Sequence, residues 1–315
     1  MNDLTYKSLQ KPSFLEIEPD RDGQRIDNFL VSQLKGVPKS HIYRILRKGE
    51  VRVNKGRVKA DYRLKAGDLI RLPPIRLSEK EATTPGAKLI ELIDKHIIYE
   101  DKKLLVINKP SGVAVHGGSG VSFGVIEAIR ALRPDCPYFE LVHRLDRETS
   151  GCLIIAKKRS ALRQLHELFR TDQMQKQYIA LVKGPWKDGK RKVDLPLRKN
   201  VLRSGERMVE VLDDGKEAIS YFELIERYKT ASLMRVTLKT GRTHQIRVHA
   251  AHIGHPVAGD PKYGDSTFNQ SMRALGLNRL FLHAAYIGFC LPDGEEISVS
   301  APLSDELQQV LHKLH

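Results

Sequence analysis

The chain has 315 residues, 53 of them Lys or Arg against 38 Asp or Glu, a formal net charge of +15. With 41% hydrophobic and 29% charged residues it can fill an ordinary core, which excludes global disorder, and its longest apolar runs are far too short to span a bilayer. Residues 1–6 show no basic stretch followed by an apolar one, and Cys136, Cys152 and Cys290 lie too far apart for a zinc site or a disulfide framework. The expectation is a soluble, cytoplasmic chain with reduced thiols, and the surplus charge suggests a polyanion as partner.

In chain order, residues 1–20 read as a loose tail and residues 21–76 as a small folded module. That module holds 15 Lys or Arg against five acids, a local +10 out of the total +15. Ile26, Phe29, Leu30 and Leu34 share one face of a predicted helix over 25–34. A second helix, with Ser40 as candidate cap and Gly49 as stop, puts Ile42, Ile45 and Leu46 inward and Arg44, Arg47 and Lys48 largely outward. Residues 51–53 alternate like a strand, Asn54-Lys55-Gly56 reads as a turn, and residues 68–72 read as another strand. The ordinary alternative for such a segment is a solvated basic face with no partner.

Residues 77–95 read as a linker that ends in a short helix, and residues 96–315 as a second domain of short apolar strands broken by Gly and Pro. Strands are predicted over 104–108, 152–156, 178–182, 220–225 and 232–238. Helices are predicted over 122–132 and 161–169, and from about 243 through 252. The fold class is α+β with a mostly antiparallel sheet. Arg198, Lys199, Arg203 and Arg207 surround Ser204-Gly205 in a predicted β-hairpin, which on the residues alone reads as an ordinary solvated tip.

Chemistry concentrates in His143-Arg144-Leu145-Asp146-Arg147-Glu148-Thr149-Ser150-Gly151. A carboxylate between two arginines tends to stay ionised, and such a group can attack a sugar anomeric carbon. Taken alone, the same cluster is more often a structural ion pair. Two other patterns read as decoys. Gly120-Val121-Ser122-Phe123-Gly124 fits the spacing of a hydrolase nucleophile elbow, but its approach is a Gly-rich loop rather than a buried strand. His244, His249, His252 and His255 lack the His-Glu-x-x-His spacing of a metal helix, so packing or RNA contact is the expectation and no metal is assigned.

His-Arg-Leu-Asp-x-x-Thr-Ser-Gly resembles the signature of the RluA-type pseudouridine synthases, and four further segments resemble that family's motifs in the same order. These are Asn108–Gly112 with Val115-His116, Gln177–Val182, Gly241–His249 followed by Gly259–Gly264, and Arg279–Ala284. The likeness spans roughly residues 21–305. Residues 37–55 and 116–120 resemble a subgroup that acts on large-subunit (23S) ribosomal RNA, and residues 21–76 resemble the αL RNA-binding motif of small-subunit ribosomal protein four.

The resemblance implies an isomerase that converts uridine to pseudouridine and needs no cofactor. It implies Asp146 as nucleophile, Tyr178 stacked on the extruded uracil, and Arg247 paired with Asp146. Arg144 would fill the space left by the flipped nucleotide and Leu282 would pack on the base. Arg242, His244, Lys39, Arg44, Arg47, Lys48, Arg52 and Lys55 would contact RNA. For the hairpin around Ser204-Gly205 the resemblance implies, instead of a solvated tip, a loop that grips RNA. A monomer is expected. The competing readings are a non-catalytic RNA-binding or ribosome-assembly protein, and a synthase acting on tRNA.

Overall fold

Two units, residues 1–83 and 84–315, make up the chain. The computed structural model describes residues 12–34, 37–75, 84–118, 121–201 and 207–315. Lys35, Arg76 and the hairpin tip with Arg203 and Ser204-Gly205 therefore lie outside the described residues.

In the first unit, β1 (Ser13–Glu16) pairs with β4 (Leu69–Leu72), which pairs with β2 (Arg52–Val53), which pairs with β3 (Gly56–Arg57), all antiparallel. Strand β1 and the buried Ile17 fall in the segment read as tail. Phe14 and Glu16 face solvent while Leu15 packs on the unit's core, an alternation too short to stand out in sequence. Helix α1 (Ile26–Gln33) buries Ile26, Phe29 and Leu30, with Leu34 just beyond it. Helix α2 (Lys39–Arg47) buries Ile42, Ile45 and Leu46. Each such side chain contributes about 1.5–3 kcal/mol of burial.

Ser40 does not cap α2. The cap position is Pro38, whose fixed φ of −57° already points into the helix, so Ser40 falls inside the first turn. Asn54 and Lys55 both adopt positive φ (48° and 67°), which makes the β2–β3 connection a tight two-residue hairpin. The Asn54 side chain donates to Asp68 and accepts from the Leu69 amide, so a non-glycine residue is held in that conformation.

The second unit begins with α3 (Ala87–Asp94), the short helix expected at the end of the linker; Ile93 is fully buried. Then follow β5 (Ile97–Glu100), β6 (Leu104–Lys109), α4 (Val125–Leu132), β7 (Glu140–Leu141), β8 (Ser150–Ala156), α5 (Arg159–Arg170) and β9 (Gln175–Lys183). The chain continues through β10 (Lys190–Asp194), the hairpin β11 (Leu197–Val201) and β12 (Arg207–Val211), β13 (Ile219–Arg227) and β14 (Ala231–Leu238). It ends with α6 (Gln245–His252), α7 (Ser266–Ala274), β15 (Leu282–Cys290), β16 (Glu296–Ser300) and α8 (Asp305–His312). The main sheet runs β10-β13-β14-β9-β15-β8-β6-β5, with β16 on β15 and β7 on β8. Its pairings are antiparallel except β15 with β8, where His283 faces Ser150 and Ala284 faces Gly151.

Strands β6 and β8 are buried on both faces. Leu104, Val106, Cys152 and Ile154 join one core cluster; Leu105, Ile107, Leu153 and Ile155 join the other. That is why these segments read as unbroken apolar runs rather than alternating ones.

Candidate active site

Asp146 lies in the loop between β7 and β8, and that loop is bolted to residues 109–113. The Arg147 carbonyl accepts from the Gly112 amide (2.9 Å) and from the Lys109 ammonium (3.0 Å), while Arg147 Nε donates to the Gly112 carbonyl (2.8 Å). Lys109 is fully buried and also donates to the carbonyls of Pro110 (2.7 Å) and Val113 (2.9 Å). Burial lowers its pKa to about 7, with Arg279 acting in the same direction. The three carbonyl acceptors nonetheless fit the three N–H bonds of the charged ammonium. Ser111 Oγ donates to the Glu148 carbonyl (2.8 Å) and the Thr149 amide to the Asp146 carbonyl (3.1 Å), which completes the turn around the acid.

The arginines beside Asp146 in sequence are not its partners. Arg147 is engaged with Gly112, and the exposed Arg144 lines a neighbouring cleft. The groups that reach the carboxylate come from the start of α6, where Arg247 Nη1 lies 3.5 Å and His244 Nε2 3.7 Å from Asp146 Oδ2; Arg247 carries the charge, since burial lowers the His244 pKa below its ordinary value. Arg247 is 5% exposed, and its other two nitrogens clamp Asp260, Nε on Oδ2 and Nη2 on Oδ1, each at 2.7 Å. The Asp260 carboxylate is fully buried, and the guanidinium outweighs that burial to hold its pKa below the usual carboxylate range. It also accepts from the Lys262 and Tyr263 amides (2.8 and 3.1 Å).

Helix α6 is interior from Gln245 to Ala250, so its polar residues face the site or the core. Gln245 bolts its entry by accepting from the Arg242 amide and Thr240 Oγ1 (2.9 Å each) and donating to Ile219 (3.0 Å) and Ser220 Oγ (2.9 Å). This turn holds His244 in the left-handed region (φ 54°), with its Nδ1 at 2.9 Å from the Tyr263 hydroxyl. Arg242 is exposed, donates to the Glu217 carbonyl (2.9 Å) and lines the cleft. The remaining histidines are in separate surroundings: His249 contacts Ser220 Oγ and the Leu195 carbonyl (3.0 Å each), and His255 contacts the Lys183 carbonyl (2.8 Å) and Trp186.

Tyr178 sits on β9 opposite Ala284 of β15, and Ala284 in turn faces Gly151 of β8. The tyrosine and the strand that follows Asp146 are thus separated by a single strand carrying a small side chain. Burial, then the Asp146 charge, pushes the Tyr178 phenol well above its ordinary pKa. Leu282 is 4% exposed and belongs to the core cluster against which Tyr178 packs. A cleft of about 720 Å³ adjoins the site, with Tyr178, Arg144 and Arg242 among its lining. In the elbow-like segment, Ser122 follows a two-residue bridge, Gly118 to Val121, rather than a strand.

The profile of the family described as RNA pseudouridylate synthase matches residues 103–252, which include Asp146, Tyr178 and Arg247, and that of the S4 domain matches residues 24–70. A curated relative from Pasteurella multocida (strain Pm70), ribosomal large subunit pseudouridine synthase C, is 56% identical over 97% of this chain and 94% of its own. The chain belongs to the RNA pseudouridylate synthase family. The synthase of the same name from Escherichia coli (strain K12) is 56% identical over 95% of each chain. A solved structure, Human RNA Pseudouridylate Synthase Domain Containing 4, is 27% identical with a TM-score of 0.61, over 72% of this chain and 95% of that one. The expected isomerase class, the α+β fold and the N-terminal S4 domain therefore stand.

In this synthase's S4 domain, Lys39, Arg44, Arg47 and Lys48 are exposed on and just after α2, Arg52 on β2 and Lys55 on the hairpin turn. None of the six is ion-paired with another described residue. Two residues at the heart of the site escaped the motif reading as functional, Asp260 and Lys109. Both stand in quoted motifs, but only three-dimensional proximity pairs Asp260 with Arg247 or Lys109 with Arg147.

Proposed function

We propose that this synthase isomerises uridines of large-subunit ribosomal RNA, with Asp146 as the nucleophile acting on a nucleotide taken out of its stack. The observation that carries the reading is the Arg247 fork. Two of its nitrogens are fixed on Asp260, and the third is turned to Asp146 at 3.5 Å, so a cation is preorganised beside an otherwise reachable carboxylate. The substrate reading is supported by the relatives called ribosomal large subunit pseudouridine synthase C, which this chain matches over about the whole of their length. The exposed basic face of the S4 domain supports it, since such a face supplies phosphate contacts with little sequence choice.

In the reaction, the N1–C1′ bond of uridine breaks, the detached uracil turns, and a C5–C1′ bond forms. The C5 proton leaves and N1 takes one up, so the product is an isomer. Asp146 serves either by adding to C1′, to be displaced when C5 attacks that carbon, or by removing the C2′ proton to give a glycal and returning it to C2′ as the C5–C1′ bond forms. Tyr178, whose elevated pKa keeps its O–H at neutral pH, stacks on the base and acts as a donor rather than a base. Arg144, exposed at the cleft, is positioned to enter the gap left in the RNA, and Leu282 supports the base from behind Tyr178. Mapping pseudouridines in a strain lacking this protein tests the substrate. Loss of particular pseudouridines from large-subunit RNA, restored by the wild-type protein, is expected. Loss confined to tRNA would redirect the assignment.

A further inference from the structure

Lys176 and Lys109 are both buried lysines, and they differ in one respect. Lys109 donates to three carbonyls at 2.7, 2.9 and 3.0 Å, so its ammonium is fully satisfied. Lys176 is 8% exposed, yet its ammonium has one acceptor among the described residues, Asp172 Oδ1 at 3.5 Å. That aspartate is itself 39% exposed in its side chain and sits at a left-handed residue just past α5 (φ 57°). One long contact to a solvated carboxylate is a poor return for burying an ammonium. Burial lowers the Lys176 pKa, and at His143, whose pKa is lowered chiefly by burial, the lysine's charge adds in the same direction.

Lys176 lines the cleft beside the active site. Lys176 lies two residues before Tyr178 on β9, hence on the same face of the strand and about 7 Å from it. Both line the 720 Å³ cleft, together with Arg144, Arg170 and the aromatic rings of Phe169 and Tyr286. The Phe169 ring centroid is 5.8 Å from Lys176 Nζ. Cations interleaved with aromatic rings are the lining that single-stranded nucleic acid takes, the rings for bases and the cations for backbone phosphates.

We propose that Lys176 binds a backbone phosphate of the RNA strand next to the uridine held at Tyr178, displacing Asp172 as its partner. The lysine is a binding and positioning residue, not a catalytic one, and this assignment rests on the reading of the site as an RNA isomerase. The phosphate would supply the charged acceptor that the fold leaves out, and it would fix the register of the strand so that the neighbouring base reaches Asp146.

The test uses the full-length chain and an RNA oligonucleotide carrying a substrate uridine in a single-stranded loop. Lys176→Met is expected to weaken binding about tenfold and to lower the slope of log affinity against log salt by about 0.7, the effect of one single-strand phosphate contact. Lys176→Arg should keep the slope, and Asp172→Asn should tighten binding, because it removes the competing anion. An RNA with one neutral methylphosphonate linkage beside the uridine should bind wild type about tenfold more weakly and bind Lys176→Met with no additional loss. If Lys176 served only its ion pair, Asp172→Asn would weaken binding as Lys176→Met does and no single neutral linkage would matter; that result overturns the proposal. Should Lys176→Met fail to fold, the Asp172→Asn and methylphosphonate arms decide alone. Release of a C5 label by wild type is a separate readout, so failure of the lysine assignment is distinguishable from failure of the isomerase reading.

Discussion

Two carboxylates share one guanidinium at the centre of this synthase, and the division of labour between them is set by burial. Asp260 is sealed and takes two nitrogens of Arg247 at 2.7 Å; Asp146 is a quarter exposed in its side chain and takes the third at 3.5 Å. Asp260 is accordingly a positioning residue. Asp260→Asn removes the charge that holds the fork, leaving a buried guanidinium half-paired, which costs about 3–5 kcal/mol of stability. In the fraction that stays folded, kcat should fall at least tenfold with little change in KM, since Arg247 loses its aim rather than its charge. Steady-state rates alongside urea unfolding check both halves of this expectation. Asp146, Tyr178 and Arg247 were legible in the sequence because each stands inside a recognisable motif. The motif resemblance names Arg247 as the partner of Asp146, and it lies at 3.5 Å; residue types alone point instead to Arg144 and Arg147, its neighbours in chain, but the loop turns them to the cleft and to Gly112. Proximity in sequence does not report the direction in which a loop projects its side chains.

At the scale of elements, the site depends on the parallel pairing of β8 with β15. Gly151 has φ 108°, and a Cβ there would lie 2.2 Å from the Ala284 carbonyl oxygen. Gly151→Ala combines left-handed strain with a backbone clash, and a loss of more than about 2 kcal/mol in urea unfolding is expected. Just before this pairing, His143 Nε2 accepts from the Ile154 amide (3.0 Å), which requires the neutral ring. Burial lowers its pKa to about 4, below the unfolded value of about 6.5. The unfolded chain therefore takes up a proton first as pH falls. This part of the stability is present above pH 6.5 and is lost progressively between about 6.5 and 4. His249 and His283, also lowered by burial, act in the same direction. A melting temperature that declines over this window, and declines less in His143→Gln, is the expected outcome; an identical decline in the variant would exclude His143 as a source of it. Strands β6, β8, β9, β13 and β14 were legible from apolar runs to within a few residues, whereas β5, β7, β10, β15 and β16 were not located. Helices α7 and α8 were not, and neither was the strand order, because partners such as Ser150 and His283 stand 133 positions apart in the chain.

For the whole molecule, charge and chemistry are divided between the two units. Six of the first unit's cations stand on and just after α2, on β2 and on the hairpin turn, without ionic partners among the described residues. Replacing Lys39, Arg44, Arg47, Lys48, Arg52 and Lys55 by Gln in the full chain should weaken RNA binding and reduce its salt slope by about 0.9 for each duplex phosphate no longer neutralised. An unchanged slope would mean that this face does not meet RNA. Composition announced the polyanion and the motifs announced the reaction, but only the fold joins residues 109, 146, 178, 247 and 260 into one site. The central claim, that Asp146 is the nucleophile of a uridine isomerisation, is tested most directly by incubating unmodified large-subunit ribosomal RNA labelled at uracil C5 with wild type and with Asp146→Asn. Label release by wild type and none by the variant, with RNA binding preserved, is the predicted result. Release by the variant at the wild-type rate, or no release by either folded protein, would contradict it.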